Sequence, residues 1–528
     1  MPKRRKIMDE SKKVAPWKQQ DDGLWRRPLV GPERMYDQWL ELDGWTEWMG
    51  AVIFTVAPSL LSEVETNSNI ETWFKKAIYH VFHRKLSLLA TIERGEGDSA
   101  TSRSRDFVYE PLTSDEDLAE RITQRITIRH TAESVRNGLK SFTDDFYSSP
   151  EKRISFELGD HLIHFSFVVS SAEPGTFALA IRCNHALNDF WSGAGVLHEA
   201  LRSLADGLID DEPLLQFGRF TVLSTYGLHP CYLDLLADPT EDTSLSDEAR
   251  EKARQLLAAN LNNITSFPIS EEPAKELADT DYSVRRQEFS QDMTEKIIKL
   301  CKNHGVTVTS FLTAMQALAL LELFPPQDPA RTMAAPICVS NRLRHTIYKY
   351  KDRSTGTLDP LNYVYKKGAI MGPIMASTFF ITPFLVSVYD GPNDGHSWRT
   401  NVWKVAKSVG RATETEAKSN LCDHVDWTQG PAAFGGVSHM IEAMKAGQMP
   451  SPSGAFPPLS SAGLLDGVHL QESYGTIGKG KNKSPVIKLD DFSFCPRIST
   501  FFGHLKWWDL YNEKIERMVN ESAMVGDV

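Results

Sequence analysis

His185 and Asp189 are the residues whose types and spacing best fit catalysis, because they form a His-x-x-x-Asp motif between a predicted strand and a predicted helix. The strand is predicted over residues 177–183, where four apolar side chains alternate. The helix is predicted over residues 192–205 and ends at Asp206-Gly207. The four alternating side chains are Phe177, Leu179, Ile181 and Cys183. A cleft can open at a strand end, so a neutral imidazole there could take the proton of an alcohol or an amine.

The motif alone allows two interpretations of His185. The chain has fifteen histidines, so about one such spacing with an aspartate is expected by chance. On residue types alone, a structural histidine that caps the strand fits as well as a general base. Cys183, two residues earlier, is a poor nucleophile because the alternation puts its thiol on an apolar face, where thiols are usually inert.

Neighbouring patterns predict the elements that would position the motif. Residues 162–169 alternate and a turn-forming stretch follows at 170–175, which predicts a hairpin that ends at His185. Residues 70–84 carry apolar side chains at helical spacing on one face, which predicts a core helix and not a cofactor-binding surface.

Composition bounds the class of protein. The chain has 528 residues, 41% of them hydrophobic and 24% charged, which is typical of a globular protein with a large core. The net charge of −11 gives no attraction to nucleic acid, and no nucleic-acid-binding signature is present. The six cysteines are scattered, which favours reduced thiols and neither disulfides nor a metal site. We expect a cytoplasmic protein with no secretory signal and no membrane span; the basic cluster at residues 3–6 is interpreted as a solvated tail.

Beyond the motif, the chain resembles the coenzyme A-dependent acyltransferase superfamily, which includes chloramphenicol acetyltransferase and peptide-synthetase condensation domains. The resemblance spans roughly residues 45–520. Four further segments carry it, in the order of the family: residues 69–90 (a long first helix), 290–323 (a helix–Gly–helix), 335–344 (a strand that ends near an arginine) and 460–475 (a late strand and loop). It implies an α/β fold of two lobes, each a mixed β-sheet flanked by helices, with the active-site channel between them.

The resemblance also implies roles for the motif. His185 would act through Nε2 as the general base. Asp189 would face away from the substrate and hold the loop through an ion pair, for which Arg342 is the first candidate and Arg344 the second. An ordinary surface charge remains the alternative for either arginine. The acyl donor would be acyl-CoA as a co-substrate, with no bound cofactor and no metal, and the protein is expected to be a monomer.

Three other sites are weaker candidates. Gly193 could allow a close backbone approach to the site, or it could serve packing. Ser461 could donate to the oxyanion or to the thioester carbonyl, or it could be an ordinary turn serine. The lysines of the flexible basic loop 478–483 could meet the phosphates of coenzyme A, or they could be solvated on a hairpin turn. They are Lys479, Lys481 and Lys483.

The predicted domain organisation has four parts. They are a disordered tail (residues 1–24), an N-terminal lobe that carries the motif (25–225), a linker (226–280) and a C-terminal lobe (281–528).

Within the family, the length and the Trp-rich start resemble a fungal branch that acetylates trichothecene sesquiterpenes at the 15-hydroxyl, in secondary metabolism. Residues 501–508 read FFGHLKWW, so the Asp-Phe-Gly-Trp-Gly motif of many plant and fungal relatives is absent. Two alternatives therefore stay open beside an O-acetyltransferase. One is a free-standing condensation-type enzyme that uses a carrier-protein thioester, and the other is a catalytically silent binding or scaffold protein.

Overall fold

The computed structural model describes most of the first 209 residues and separate stretches of the rest. The described residues are 17–29, 32–40, 47–64, 67–96, 104–148, 161–188, 190–209, 228, 266–267, 286–323, 332–339, 378–385, 397–419, 454–455, 470–478, 483–496 and 505–525. The chain divides into two compact units, each made of three segments. The first unit comprises Met1–Thr243, Ser340–Ala376 and Leu464–Arg497, and the second comprises Ser244–Val339, Ser377–Gly463 and Ile498–Val528.

The first unit alternates strands and helices. Its strands are β1 (Lys18–Gln19), β2 (Trp25–Pro28), β3 (Glu47–Val56), β4 (Thr91–Arg94), β5 (Arg105–Tyr109), β6 (Ile126–Thr131), β7 (Ile163–Ser170) and β8 (Thr176–Asn184), joined late in the sequence by Ser473–Tyr474 and Ile487–Pro496. Its helices are α1 (Pro32–Leu40), α2 (Pro58–Val64), α3 (Asn67–Arg84), α4 (Asp115–Thr123), α5 (Val135–Ser148) and α6 (Phe190–Ile209), with a 3-10 turn at Leu86–Leu89.

A six-stranded sheet carries the motif. Its order is Ser473–Tyr474, Ile487–Pro496, β3, β8, β7, β6, and all its pairs are antiparallel except β6 with β7. The hairpin predicted before His185 is confirmed as β7 and β8, which pair from Ile163 with Cys183 to Val169 with Phe177. The strand on the other side of β3, Ile487–Pro496, lies more than 400 residues later in the chain, a pairing that no local pattern predicts.

Strand β8 is covered on both faces, so nearly all of its side chains are buried. On one face, aromatic rings of α3 meet β7: Phe74 stacks on Phe167 with ring centroids 4.4 Å apart. Helix α6 packs against α3 on the same side. On the opposite face α5 approaches so closely that a Cβ on Gly138 would lie 3.1 Å from Val168. The predicted core helix is therefore confirmed as α3, and the alternation in β8 separates two buried faces.

A four-stranded antiparallel sheet, in the order β1-β2-β5-β4, packs under α1. Residues 18–19 pair with residues 25–26. Residues 18–19 lie in the tail predicted to be disordered, but they form an ordered strand because their backbone pairs with β2.

The described part of the second unit contains helices and an antiparallel strand pair, and helix Ser397–Ser419 packs against one strand of that pair. The helices are Gln291–Asn303, Val308–Leu323, Ser397–Ser419 and Leu505–Val525. The paired strands are Thr332–Val339 and Thr378–Leu385. A second, two-residue pairing joins Ser266–Phe267 to Gly454–Ala455. The predicted helix–Gly–helix is confirmed: Gly305 takes φ +66° between the first two helices, where a side chain would be strained. The core of this unit includes Leu300, Phe311 and Ile515.

The fold is α/β as predicted, with sheets flanked by helices. In the part of the chain that the structure describes, no helix is both long and apolar enough to cross a membrane.

We predict that removing one partner of the buried ion pair between Arg182 of β8 and Glu47 of β3 destabilises the protein strongly. The N–O distance of the pair is 2.7 Å, and both side chains are at most 4% exposed. Arg182→Met removes the guanidinium bound to the buried carboxylate of Glu47 and should lower the free energy of unfolding by about 3–5 kcal/mol. Urea denaturation of this variant, of Glu47→Gln and of the double variant would measure the coupling. Additive effects in the double variant would contradict the prediction.

Candidate active site

The loop that carries His185 is a tight turn between β8 and α6. Asn184, the last residue of β8, is fully buried and organises the turn. Its Oδ1 accepts a hydrogen bond from the backbone N–H of Ala186 at 2.8 Å, and its carbonyl accepts from the N–H of Leu187 at 3.0 Å. Helix α6 begins at Phe190, two residues earlier than predicted. The sequence therefore delivers His185 at the strand–helix junction, on a backbone held by local hydrogen bonds.

His185 is partly exposed as a residue, but its Nδ1 is buried and has no hydrogen-bond partner among the described residues. Burial lowers the pKa of its imidazole from 6.5 to about 4, because charging the ring would require desolvation. The backbone at His185 and Asn188 raises the pKa but does not offset burial. The ring is therefore neutral at physiological pH, the form that can accept a proton.

Tyr36 of α1 lies flat against the imidazole of His185. The two ring centroids are 3.9 Å apart and the planes are inclined by only 6°. Tyr36 is almost fully buried. It closes one face of the histidine, which contributes to the burial that keeps the ring neutral.

Trp48 of β3 supports the loop from below. Its indole Nε1 donates a hydrogen bond to the backbone carbonyl of Asn188 at 3.1 Å. The same indole fills the space in front of Gly193 on α6, where an added Cβ would lie 2.0 Å from Trp48 Cη2. Of the two roles considered for Gly193, the structure thus shows packing against Trp48.

Two side chains next to the motif, those of Cys183 and Arg182, are not available for acyl transfer in this structure. The pKa of the Cys183 thiol is raised well above its usual value by burial and by Glu47, which agrees with the inert thiol expected from the sequence. Arg182, the residue before it, is held by Glu47.

Most of the other predicted site residues lie outside the described residues. These are Asp189, Arg342, Arg344, Ser461, Lys479 and Lys481. Lys483 is described and is exposed, one residue before Ser484, whose backbone pairs with Ile477. Residues 479–482 of this loop lie outside the described residues, and a role of its lysines toward coenzyme A stays a prediction.

Sequence reasoning missed three residues of the site: Tyr36, Trp48 and Asn184. Glu33, Tyr36 and Asp37 fall on one buried stripe of α1, so a helical pattern was present in residues 33–40. No local signal links that stripe to His185, which is almost 150 residues away in the sequence.

The fold of this chain is similar to those of several solved structures. No family model and no curated protein matches the sequence. Among solved structures, trichothecene 15-O-acetyltransferase of Fusarium sporotrichioides matches with a TM-score of 0.68 at 14% identity, over 95% of this chain and 96% of that one. The first condensation domain of the calcium-dependent antibiotic synthetase matches with a TM-score of 0.50 at 12% identity, over 94% and 96%.

The chain has the fold of the chloramphenicol-acetyltransferase and condensation-domain acyltransferases. The resemblance found in the sequence is therefore confirmed at the level of the fold. At 12–14% identity, the likeness to these acyltransferases shows the fold alone.

Among the described residues, no group of three or more His, Cys, Asp or Glu side chains could hold a metal ion.

We predict that Gly193→Ala destabilises the loop that carries His185, because the added methyl group displaces Trp48. The added methyl would overlap the indole, which must move and break its hydrogen bond to Asn188. Overpacking of this kind costs about 1–3 kcal/mol, so the thermal midpoint should fall. Trp48→Leu in the Gly193→Ala background removes the clash, and the double variant should lose less than the sum of the single losses in calorimetry. Strict additivity would show that the indole and Gly193 are not coupled.

Proposed function

We propose that the protein is an acyl-CoA-dependent O-acyltransferase in which His185 is the general base. The observation that carries the proposal is a neutral histidine, with its Nδ1 buried, at the strand–helix junction of the His-x-x-x-Asp motif. The fold shared with acyltransferases supports the same reaction class.

In this mechanism Nδ1 of His185 keeps its proton, and Nε2 faces the acceptor. Nε2 takes the proton of the acceptor hydroxyl as its oxygen attacks the thioester carbonyl. The tetrahedral intermediate then collapses, the C–S bond breaks, and the thiolate of coenzyme A leaves and receives the proton from the imidazolium. No acyl-enzyme is needed, since the thioester is already activated.

The low pKa of His185 has two consequences. The ring is deprotonated at neutral pH, but it is a weaker base than an unperturbed histidine. General-base catalysis supplies roughly 10²–10⁴-fold, so alignment of the two substrates and stabilisation of the oxyanion must supply the rest.

The remaining roles are proposals that rest on the family resemblance. Asp189 holds the loop by an ion pair with Arg342, Ser461 donates to the oxyanion, and the lysines 479, 481 and 483 meet the phosphates of coenzyme A. The acyl group is acetyl, and the acceptor is the 15-hydroxyl of a trichothecene sesquiterpene. The likeness to a trichothecene 15-O-acetyltransferase supports that acceptor.

We predict that activity tolerates acid better than an ordinary histidine base would allow. Because the pKa of His185 is lowered from 6.5 to about 4, the neutral fraction is lost only as pH falls through about 4. The acid limb of log kcat/KM, which reports the free enzyme, should therefore lie well below pH 6.5. A limb at pH 6.5 or above would contradict the assignment.

The same shift affects folding. The unfolded chain binds this proton more readily than the folded one. The contribution of His185 to stability is therefore present above about pH 6.5 and is lost as pH falls toward 4.

The reaction class is tested by thiol release from acetyl-CoA with a panel of alcohols that includes deacetylated trichothecenes. We expect turnover by the wild type and a loss of at least about a hundredfold in His185→Ala, as removal of a general base requires. His83→Ala is the matched control, since that histidine is also in the first unit but lies on α3, where it is buried.

Two other outcomes identify the alternatives. Turnover only with an acyl carrier-protein thioester would identify a condensation-type enzyme. Absence of turnover with every thioester, together with unchanged biological function in His185→Ala, would identify a silent binding protein.

A further inference from the structure

We propose that Tyr36 is a positioning residue for His185: its ring fixes the plane of the imidazole and shields it from water. The proposal rests on the proposed role of His185 as general base.

The contact geometry is that of a face-to-face stack. With centroids 3.9 Å apart and planes within 6°, the two rings are in van der Waals contact over their faces. The imidazole cannot tilt toward Tyr36 without steric overlap. Rotation about its side-chain bonds is thereby restricted, which holds Nε2 in one direction. Productive alignment of a base depends on such restriction.

Tyr36 is itself held in place by buried ion pairs on both sides of it in the sequence. Glu33 makes two hydrogen bonds of 2.9 Å to the guanidinium of Arg27 on β2. Asp37 is bound by Arg94 of β4 and by Arg105 of β5. All five of these side chains are nearly or fully buried.

These pairs fix a helix that would not form alone. Helix α1 has nine residues, and isolated helices shorter than about 12–15 residues are marginal in water. The arginines of the four-stranded sheet therefore anchor α1 and, through it, the ring of Tyr36. Because the partners are buried and charged, displacement of α1 would leave uncompensated charges, which strongly disfavours it.

Nearby charged groups do not cause the low pKa of His185, so the effect of the Tyr36 ring can be measured separately. The charged side chains on the elements that contact the loop are Glu33, Arg34 and Asp37 on α1, Arg182 on β8, Glu47 on β3, and Glu199, Arg202 and Asp206 on α6. None of them is among the causes of the pKa shift of His185, which is dominated by burial. Removing the ring that covers one face of the imidazole should therefore admit water and raise its pKa.

The experiment compares Tyr36→Leu and Tyr36→Phe with the wild-type protein. The His185 imidazole is titrated by NMR on histidine-labelled protein, with His185→Gln to assign the resonance. In Tyr36→Leu we expect the pKa to rise from about 4 toward 6.5, whereas Tyr36→Phe keeps the stack and should keep the low value.

Kinetics give the second readout. In Tyr36→Leu, kcat should fall between about tenfold and a hundredfold, as expected for a misaligned base, with KM for the acyl donor little changed. Tyr36→Phe should restore most of the activity. The acid limb of the pH profile should move upward with the pKa measured by NMR.

Tyr474→Leu is the matched control. Tyr474 is also a buried tyrosine of the first unit beside a histidine, His198, with ring centroids 5.3 Å apart. It should cost similar stability and leave the pKa of His185 unchanged. Should Tyr36→Leu fail to fold, Tyr36→Met, whose unbranched side chain fills the space without a ring, takes its place.

An unchanged His185 pKa in the folded Tyr36→Leu or Tyr36→Met variant would overturn the proposal, as would an equal shift in Tyr474→Leu. Failure of the proposed function is distinguishable, because the titration needs no turnover. A wild type that is inactive with every thioester but shows the expected pKa shifts would refute the catalytic role of His185 and retain the shielding by Tyr36.

Discussion

Burial of the His185 ring sets both the charge state and the orientation of this side chain. An imidazole whose Nδ1 is sealed from water cannot carry a charge without losing its hydration, so it stays neutral far below its usual pKa. The seal is built from two directions: the flat contact of Tyr36 on one face of the ring, and a tight turn whose backbone is fixed by Asn184. Neutrality and orientation thus come from the same packing.

That packing depends on polar groups placed deep in the first unit. Arg182 with Glu47 lies immediately behind the loop, and the carboxylates of α1 bind the arginines of the four-stranded sheet. Buried ion pairs of this kind are weak contributors to net stability, but they penalise any arrangement that separates them. These ion pairs therefore act mainly on geometry: they disfavour any other placement of β8 and α1. Gly193 against Trp48 adds a steric constraint of the same kind.

The comparisons show how far such an architecture persists without sequence similarity. At 14% identity the chain still aligns over 95% of its length with a trichothecene 15-O-acetyltransferase. The same fold also matches the first condensation domain of the calcium-dependent antibiotic synthetase, at 12% identity. Function must therefore be argued from the candidate site, and in the described part of the chain the candidate is the neutral, stacked histidine.

The local features of the fold can be predicted from the sequence alone. The hairpin of β7 and β8, the core helix α3, the helix–Gly–helix and the position of His185 at a strand–helix junction all follow from periodicity and turn residues, which act over a few positions. Contacts between distant segments, in contrast, are seen only in the folded structure. Strand Ile487–Pro496 pairs with β3, and Tyr36 reaches His185. The pattern on residues 33–40 predicts a buried face, but not what covers it. Such contacts are set by the packing of the whole unit, and a single sequence carries no local signal for them.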